Sequence, residues 1–152
     1  MVIKAISISD DVLSLSSTTN SYIIESRDFD LPILSISMNP EDLWDQNSGI
    51  YVLGPNAEPD IPHFGANFWK DWEKPVYLEY LTEDGEKVFE SPGGTKIFGA
   101  WSRASAQKSM AFFARKEYGN KKFEYQFFDN LDIDKFKSVV VRNSGNDWSY
   151  TA

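Results

Sequence analysis

Cysteine is missing from this 152-residue chain, and histidine nearly so. Without cysteine there is no disulfide, no thiolate nucleophile and no cysteine-based zinc or iron–sulfur centre. The single histidine, His63, excludes a multi-histidine metal site. It stands three residues from Asp60, a spacing open to a general-base pair, but no serine sits in a nucleophile elbow, so the pair reads as loop chemistry. Apolar runs are too short to form a membrane-crossing helix. Met1 is followed by VIKAISISDD, which lacks the long apolar core of an export leader. Gly93-Gly94 and Gly99 fit neither GxxxxGK[ST] nor GxGxxG. The acidic run DNLDID, Asp129 to Asp134, lacks the glycine and the terminal glutamate of a calcium loop and reads as a solvated turn.

Aromatics, by contrast, reach 15%, which argues for a folded domain with a core of useful size rather than a disordered chain. The formal net charge is −8, which opposes nucleic acid as a partner of the whole protein. One stretch reverses that sign. From Lys96 to Lys122 there are seven Lys or Arg against a single acid, Glu117. A cationic strip on an acidic body concentrates anions locally.

Hydrophobic patterning predicts a mainly β (α+β) protein: an antiparallel sheet with one or two short helices. Strands are expected at 2–8 and 20–25, with the cluster Ser14 to Thr19 as loop or edge between them, then at 31–37. Asn39-Pro40-Glu41-Asp42 is a helix start, cap then proline, with Leu43 and Trp44 as the buried side chains. Gly49 ends that helix, Ile50 to Leu53 returns to strand, and the proline-rich 54–62 is irregular. VYLEYLTEDGEKVFE is a hairpin turning at Asp84-Gly85. Pro92-Gly93-Gly94 predicts another turn, then strand 95–98, a small-residue loop 99–107, strand 108–114, a turn at Tyr118-Gly119-Asn120 and an alternating strand 122–128. One helical turn is expected at 133–136, and SVVVR, Ser138 to Arg142, is a buried-type strand.

Three segments in series resemble a known family. DLPILSISMNPEDLWDQNSGIYVLG, KIFGAWSRASAQKSMAFFARKEYG and FKSVVVRNSGNDW are similar to the opening part of the CotH-type (spore coat protein H) atypical kinases, over roughly residues 28–152. Residues 1–27 resemble the closing strands of an Ig-like, chitobiase C-terminal-type module. The resemblance implies an N-terminal-lobe fragment of a two-lobed kinase-like fold, from an exported bacterial protein at the cell surface. It implies ATP and Mg or Mn as cofactors of the parent protein, with a secreted or coat-protein substrate. By the same resemblance Lys108 matches the nucleotide-phosphate lysine, and Ser102 and Arg103 lie in the loop over the phosphates. The loop reads Gly99-Ala100-Trp101-Ser102-Arg103 where many relatives carry an Arg-Gly-Asn-Ser-like run, and the bulky Trp101 stands against close approach of the backbone to phosphate. The family's catalytic and metal-binding aspartates fall in segments beyond this sequence, along with the rest of the kinase domain. Phosphoryl transfer needs nucleotide positioning, metal and an orienting carboxylate together, so the fragment alone is expected to be inactive, with apolar surface left open around Phe136, Val139 and Val141.

Each candidate has a plainer reading. Lys108 is otherwise a surface lysine at a strand start, and Ser102, Arg103 and Ser105 an ordinary hairpin loop. Arg142, Asn143, Asn146 and Asp147 form either a polar cluster facing a cleft or a capped turn. Trp69 and Trp72, with Phe64 and Phe68, are either a sugar-stacking platform or core. The platform supports the alternative function, a non-catalytic cell-surface β-sandwich module binding carbohydrate or protein.

Overall fold

A computed structural model describes residues 1–9, 12–22 and 30–144. The protein is mainly β, built from antiparallel strands with one short α-helix and three single 3-10 turns among the described residues. In chain order the strands are β1 (Val2–Ser9), β2 (Val12–Ser21), β3 (Ile33–Ser37), then helix α1 (Pro40–Trp44), β4 (Lys74–Leu81), β5 (Lys87–Phe98), β6 (Ser109–Phe113), β7 (Phe123–Glu124), β8 (Lys135–Phe136) and β9 (Ser138–Val141). β1 and β2 form one two-stranded sheet and β7 and β8 another; the remaining strands run in the order β3-β4-β5-β6-β9. The chain divides into two units, residues 1–37 with 77–91, and residues 38–76 with 92–152.

In the first unit, β1 and β2 pair from Val2↔Ser21 inward. Ser14 to Thr19 belongs to β2 instead of looping: hydroxyl residues, threonine above all, fit a pleated ladder when the partner strand supplies register. The strand expected at 20–25 therefore starts and ends earlier, and residues 23–25 lie outside those described. β3 pairs with β4 through Ile33↔Leu81 to Ser37↔Tyr77. Glu79 is buried there, its carboxylate accepting from Ser21 Oγ (2.5 Å) and Ser21 N (3.1 Å), with Lys87 Nζ at 3.5 Å. A buried carboxylate needs this degree of pairing to be tolerated. The β4–β5 hairpin turns at Gly85, φ +81°, with Gly85 N donating to Thr82 O. Gly85 supplies the positive φ at this turn; Asp84 does not share it.

In the second unit, Asn39 caps α1 as expected, its side chain accepting from Glu41 N, with Pro40 in the first turn. Leu43 packs against the core, but Trp44 lies 57% exposed. Ile50 to Leu53 is not a strand. Ile50 N and Tyr51 N donate back to Asp42 O and Leu43 O, so those amides close the helix end instead of seeking a partner strand. Ile50, Ala66, Phe68 and Ile97 form a buried cluster, with Met38, Leu43, Tyr51 and Trp69 against it.

Pro92-Gly93-Gly94 does not turn; β5 runs through it. The glycines are there because other groups come close: a Cβ on Gly93 would meet Phe113 O and the Phe123 ring, and one on Gly94 would meet Glu73 and the Tyr118 ring. Residues 125–128 leave the ladder after Phe123–Glu124, and the helical turn expected at 133–136 is instead β8, paired Phe123↔Phe136 and Glu124↔Lys135. β9 pairs with β6, Met110↔Val141 to Phe113↔Ser138, but it is not buried: Val140 and Val141 are exposed, while Phe136 and Val139 are half-buried.

Beside Gly94, Arg115 presents Nε and Nη2 to the two oxygens of Glu73, each at 2.6 Å, and Lys96 Nζ stands 3.8 Å away. Burial of Glu73 works against its charge. The bonds and charge of Arg115, then Tyr118 and Lys96, outweigh it and hold the carboxyl below its ordinary 4.5. A depressed carboxyl pKa stabilises the fold above the ordinary value, and that contribution is lost as pH falls through the folded one. Glu73→Gln should cost about 1–2 kcal/mol in urea denaturation at pH 7. The gap from wild type should narrow steadily below about pH 4; an unchanged gap would show that charge pairing is not its source.

Candidate functional site

The loop between β5 and β6 is shaped by two cations that point inward. Arg103 Nε donates to Gly99 O at 2.6 Å and Nη1 to Phe68 O at 3.2 Å, with the guanidinium 5.6 Å from the Trp69 ring centre. Lys108 Nζ donates to Arg103 O at 2.6 Å and Ser105 O at 2.9 Å. It also lies 4.0 Å above the Phe68 ring and 5.4 Å from that of Tyr51. Burial pushes the Lys108 pKa below the usual lysine value, while the two carbonyls and the ring faces hold the ammonium in place. Lys108 N also donates to Tyr51 Oη at 2.9 Å, fixing the start of β6 to the segment after α1. Lys108 and Arg103 are thus brought together, as staples of their own loop.

Ser102 takes a different place. Gly99 has φ +117°, and the Ser102 hydroxyl packs where a Cβ on Gly99 would stand, so the loop can fold back only because that residue is glycine. Ser102 then lines a cavity of about 330 Å³ with Phe98, Gly99, Ala100, Trp101, Ser109, Arg142 and Asn143. One wall is aromatic: Trp101 is 66% exposed and Phe98 46%. The rest of the lining is mostly polar. Asn143 is tied to the start of β6, with Ser109 Oγ within 3.1 Å of its Oδ1, its N donating to Ser109 Oγ at 3.0 Å and its Nδ2 to Gln107 O at 2.7 Å. Lys108 and Arg103 do not line this cavity. Ser105 lies outside it too. Arg142 and Asn143 line it together; Asn146 and Asp147 lie outside the described residues.

The remaining candidates are structural in their contacts. His63 Nδ1 is 2.9 Å from Glu58 O and His63 N donates to Asp60 O, so the pair closes a turn. Trp69 Nε1 donates to Pro62 O at 2.8 Å and its ring leans on Phe64 and Phe68. Trp101 is the indole most open to a ligand among the described residues. It was singled out in the sequence only as a bulky departure from an Arg-Gly-Asn-Ser-like run. Asn67 carried no sequence signal, yet it is buried and its Nδ2 donates to Gln46 O and Gly49 O, both at 3.1 Å, under the Gly54 turn. The described residues hold no group of three His, Asp or Glu able to bind a metal ion. No protein-family model, curated protein or solved structure matches this chain.

These contacts give Lys108 a measurable structural duty. Lys108→Met, which keeps the apolar stem and removes the ammonium, should destabilise the protein by about 1–2 kcal/mol in urea denaturation. Proteolysis within 99–107 should accelerate with it. Unchanged stability would mean that the ammonium does not staple the loop.

Proposed function

We propose that this chain is a nucleotide-binding β-rich lobe of a CotH-type phosphotransferase of an exported bacterial protein, and that the nucleotide occupies the cavity between the Gly99–Ser102 loop and Arg142–Asn143. The observation that carries the reading is the pairing of the two walls. An exposed indole and phenyl ring suit the face of a base, while the Ser102 hydroxyl and the Arg142 guanidinium suit phosphate oxygens, with Ser109 and Asn143 bonded to one another behind them. In this reading Ser102 contacts the nucleotide directly, and Lys108 and Arg103 act by holding the loop. ATP supplies the transferable phosphoryl group. In this reading the phosphoryl acceptor is a secreted or coat protein, and the transfer needs metal and an orienting carboxylate beside the nucleotide.

The same cavity supports one other reading, a non-catalytic cell-surface module that stacks a sugar on Trp101, because open aromatic faces beside hydroxyl and amide groups also suit carbohydrate. Calorimetric and tryptophan-fluorescence titrations separate the two. ATP should bind saturably, with Trp101→Ala and Arg142→Ala each weakening it by about tenfold, equivalent to roughly 1.4 kcal/mol. No saturable response to millimolar ATP, combined with quenching by neutral oligosaccharides, would replace the nucleotide with a glycan.

A further inference from the structure

Of the seven cations between Lys96 and Lys122, four are engaged. Lys96 and Arg115 meet Asp71 and Glu73, while Arg103 and Lys108 meet loop carbonyls. The other three, Lys116, Lys121 and Lys122, are exposed and take no ion pair or side-chain hydrogen bond among the described residues. Strand registers bring a fourth to them. The β7–β8 ladder pairs Phe123 with Phe136, so the backbones of Lys122 and Lys137 flank its open end, each in a bend next to the last pair. Ala114 N donates to Lys137 O at 2.9 Å, which sets Lys137 beside the end of β6 and two residues from Lys116. Lys137 is likewise exposed and without an ionic partner. Like charges brought close together repel one another. Glu124 meets Lys135 at 3.7 Å, Glu117 lies on the turn after β6, and Asp129, Asp132 and Asp134 lie in the connection at the closed end of the β7–β8 ladder, away from Lys122 and Lys137.

We infer that this lysine junction is a binding site for a polymer of closely spaced phosphate groups, separate from the cavity. Four ammonium groups without a guanidinium fork act as point charges, which suit phosphate oxygens presented on every side; paired recognition of carboxylates would call for arginine. The nearest arginine, Arg115, is already forked onto Glu73. The acidic remainder of the chain is screened beyond about 8 Å at physiological salt, so a local cluster can hold a flexible polyanion despite a net charge of −8.

Lys137→Glu gives the test, because it should move two properties in opposite directions. It replaces one of four neighbouring like charges by the opposite sign and so relieves their repulsion, and Tm of the free protein should rise by roughly 1–3 °C. Binding of short-chain inorganic polyphosphate, followed by calorimetry in about 50 mM salt, should weaken at least tenfold. Lys122→Gln should reproduce the loss of binding, and Lys70→Glu, an exposed lysine elsewhere, should leave it unchanged. For the wild type, log K against log salt should fall with a slope of roughly −3. The inference is overturned if Lys70→Glu weakens polyphosphate as much as Lys137→Glu does, or if neither junction variant weakens it. Tighter binding of poly-glutamate would make the ligand an acidic protein, and tighter binding of single-stranded DNA of equal charge would make it nucleic acid; each would also overturn the assignment. A synthetic glycerol-phosphate oligomer alongside inorganic polyphosphate distinguishes a phosphodiester from a phosphoanhydride source.

Discussion

The ammonium of Lys108, seated 4.0 Å above the Phe68 ring and bonded to the carbonyls of Arg103 and Ser105, is the contact on which the 99–107 loop depends. Phe68 belongs to the buried cluster with Ile50, Ala66 and Ile97, so the lysine fastens a solvent-facing loop to the core of its unit. Arg103 repeats the device through Phe68 O and Trp69. A loop of small residues would otherwise sample many conformations, and ordering each residue costs on the order of 1–2 kcal/mol. Two cations that each satisfy more than one acceptor offset that cost. The wall formed by Trp101 and Ser102 is thereby set before any ligand arrives, and preorganisation of this kind is where binding affinity is gained.

This arrangement changes what a lysine at a strand start signifies. A surface lysine on an acidic protein is drawn to anions, and the same side chain can be held more tightly by carbonyls and ring faces when these converge on it. Sequence shows the charge but not the acceptors, because Phe68, Arg103 and Tyr51 come together only after three separate segments fold. A cation in the strip acts either as a fastener or as an anion receptor, and the difference lies in the burial of its neighbours. Lys96 and Arg115 are fasteners of a second sort: both lie over the Phe113 ring while gripping Glu73, so apolar contact and ion pairing reinforce one another.

Legibility followed the range of the governing interaction. The cap at Asn39, the turn at Gly85, the 99–107 loop and strands β1, β3, β4, β6 and β9 are set by local chemistry and could be read directly. Pro92-Gly93-Gly94 could not, because its glycines serve tertiary packing against Glu73, Tyr118, Phe113 and Phe123, and turn statistics do not register such packing. Ile50 to Leu53 failed for a similar reason: β-favouring residues closed a helix end whose carbonyls were available. Of the residues lining the cavity, Ser102, Arg142 and Asn143 were singled out in the sequence. The aromatic wall was not, since Trp101 looked like an obstacle to phosphate, and only its exposure shows it as a surface on which a ring can rest.

The two anion-facing regions lie at opposite ends of β9. Lys137 precedes the strand and Arg142 follows it, five positions apart, which in extended chain is roughly 16 Å. That exceeds the screening distance of about 8 Å at physiological salt, so charge changed at one end is weakly felt at the other. The ends also differ in kind. At the Arg142 end the cation sits beside aromatic and hydroxyl groups in a cavity, where shape restricts what enters. At the Lys137 end the ammonium groups stand open on strand ends and a turn, where charge density alone selects. A ligand chosen by shape should tolerate added salt better than one chosen by charge. Salt dependence therefore separates the two regions physically even though phosphate is proposed as the ligand group of both.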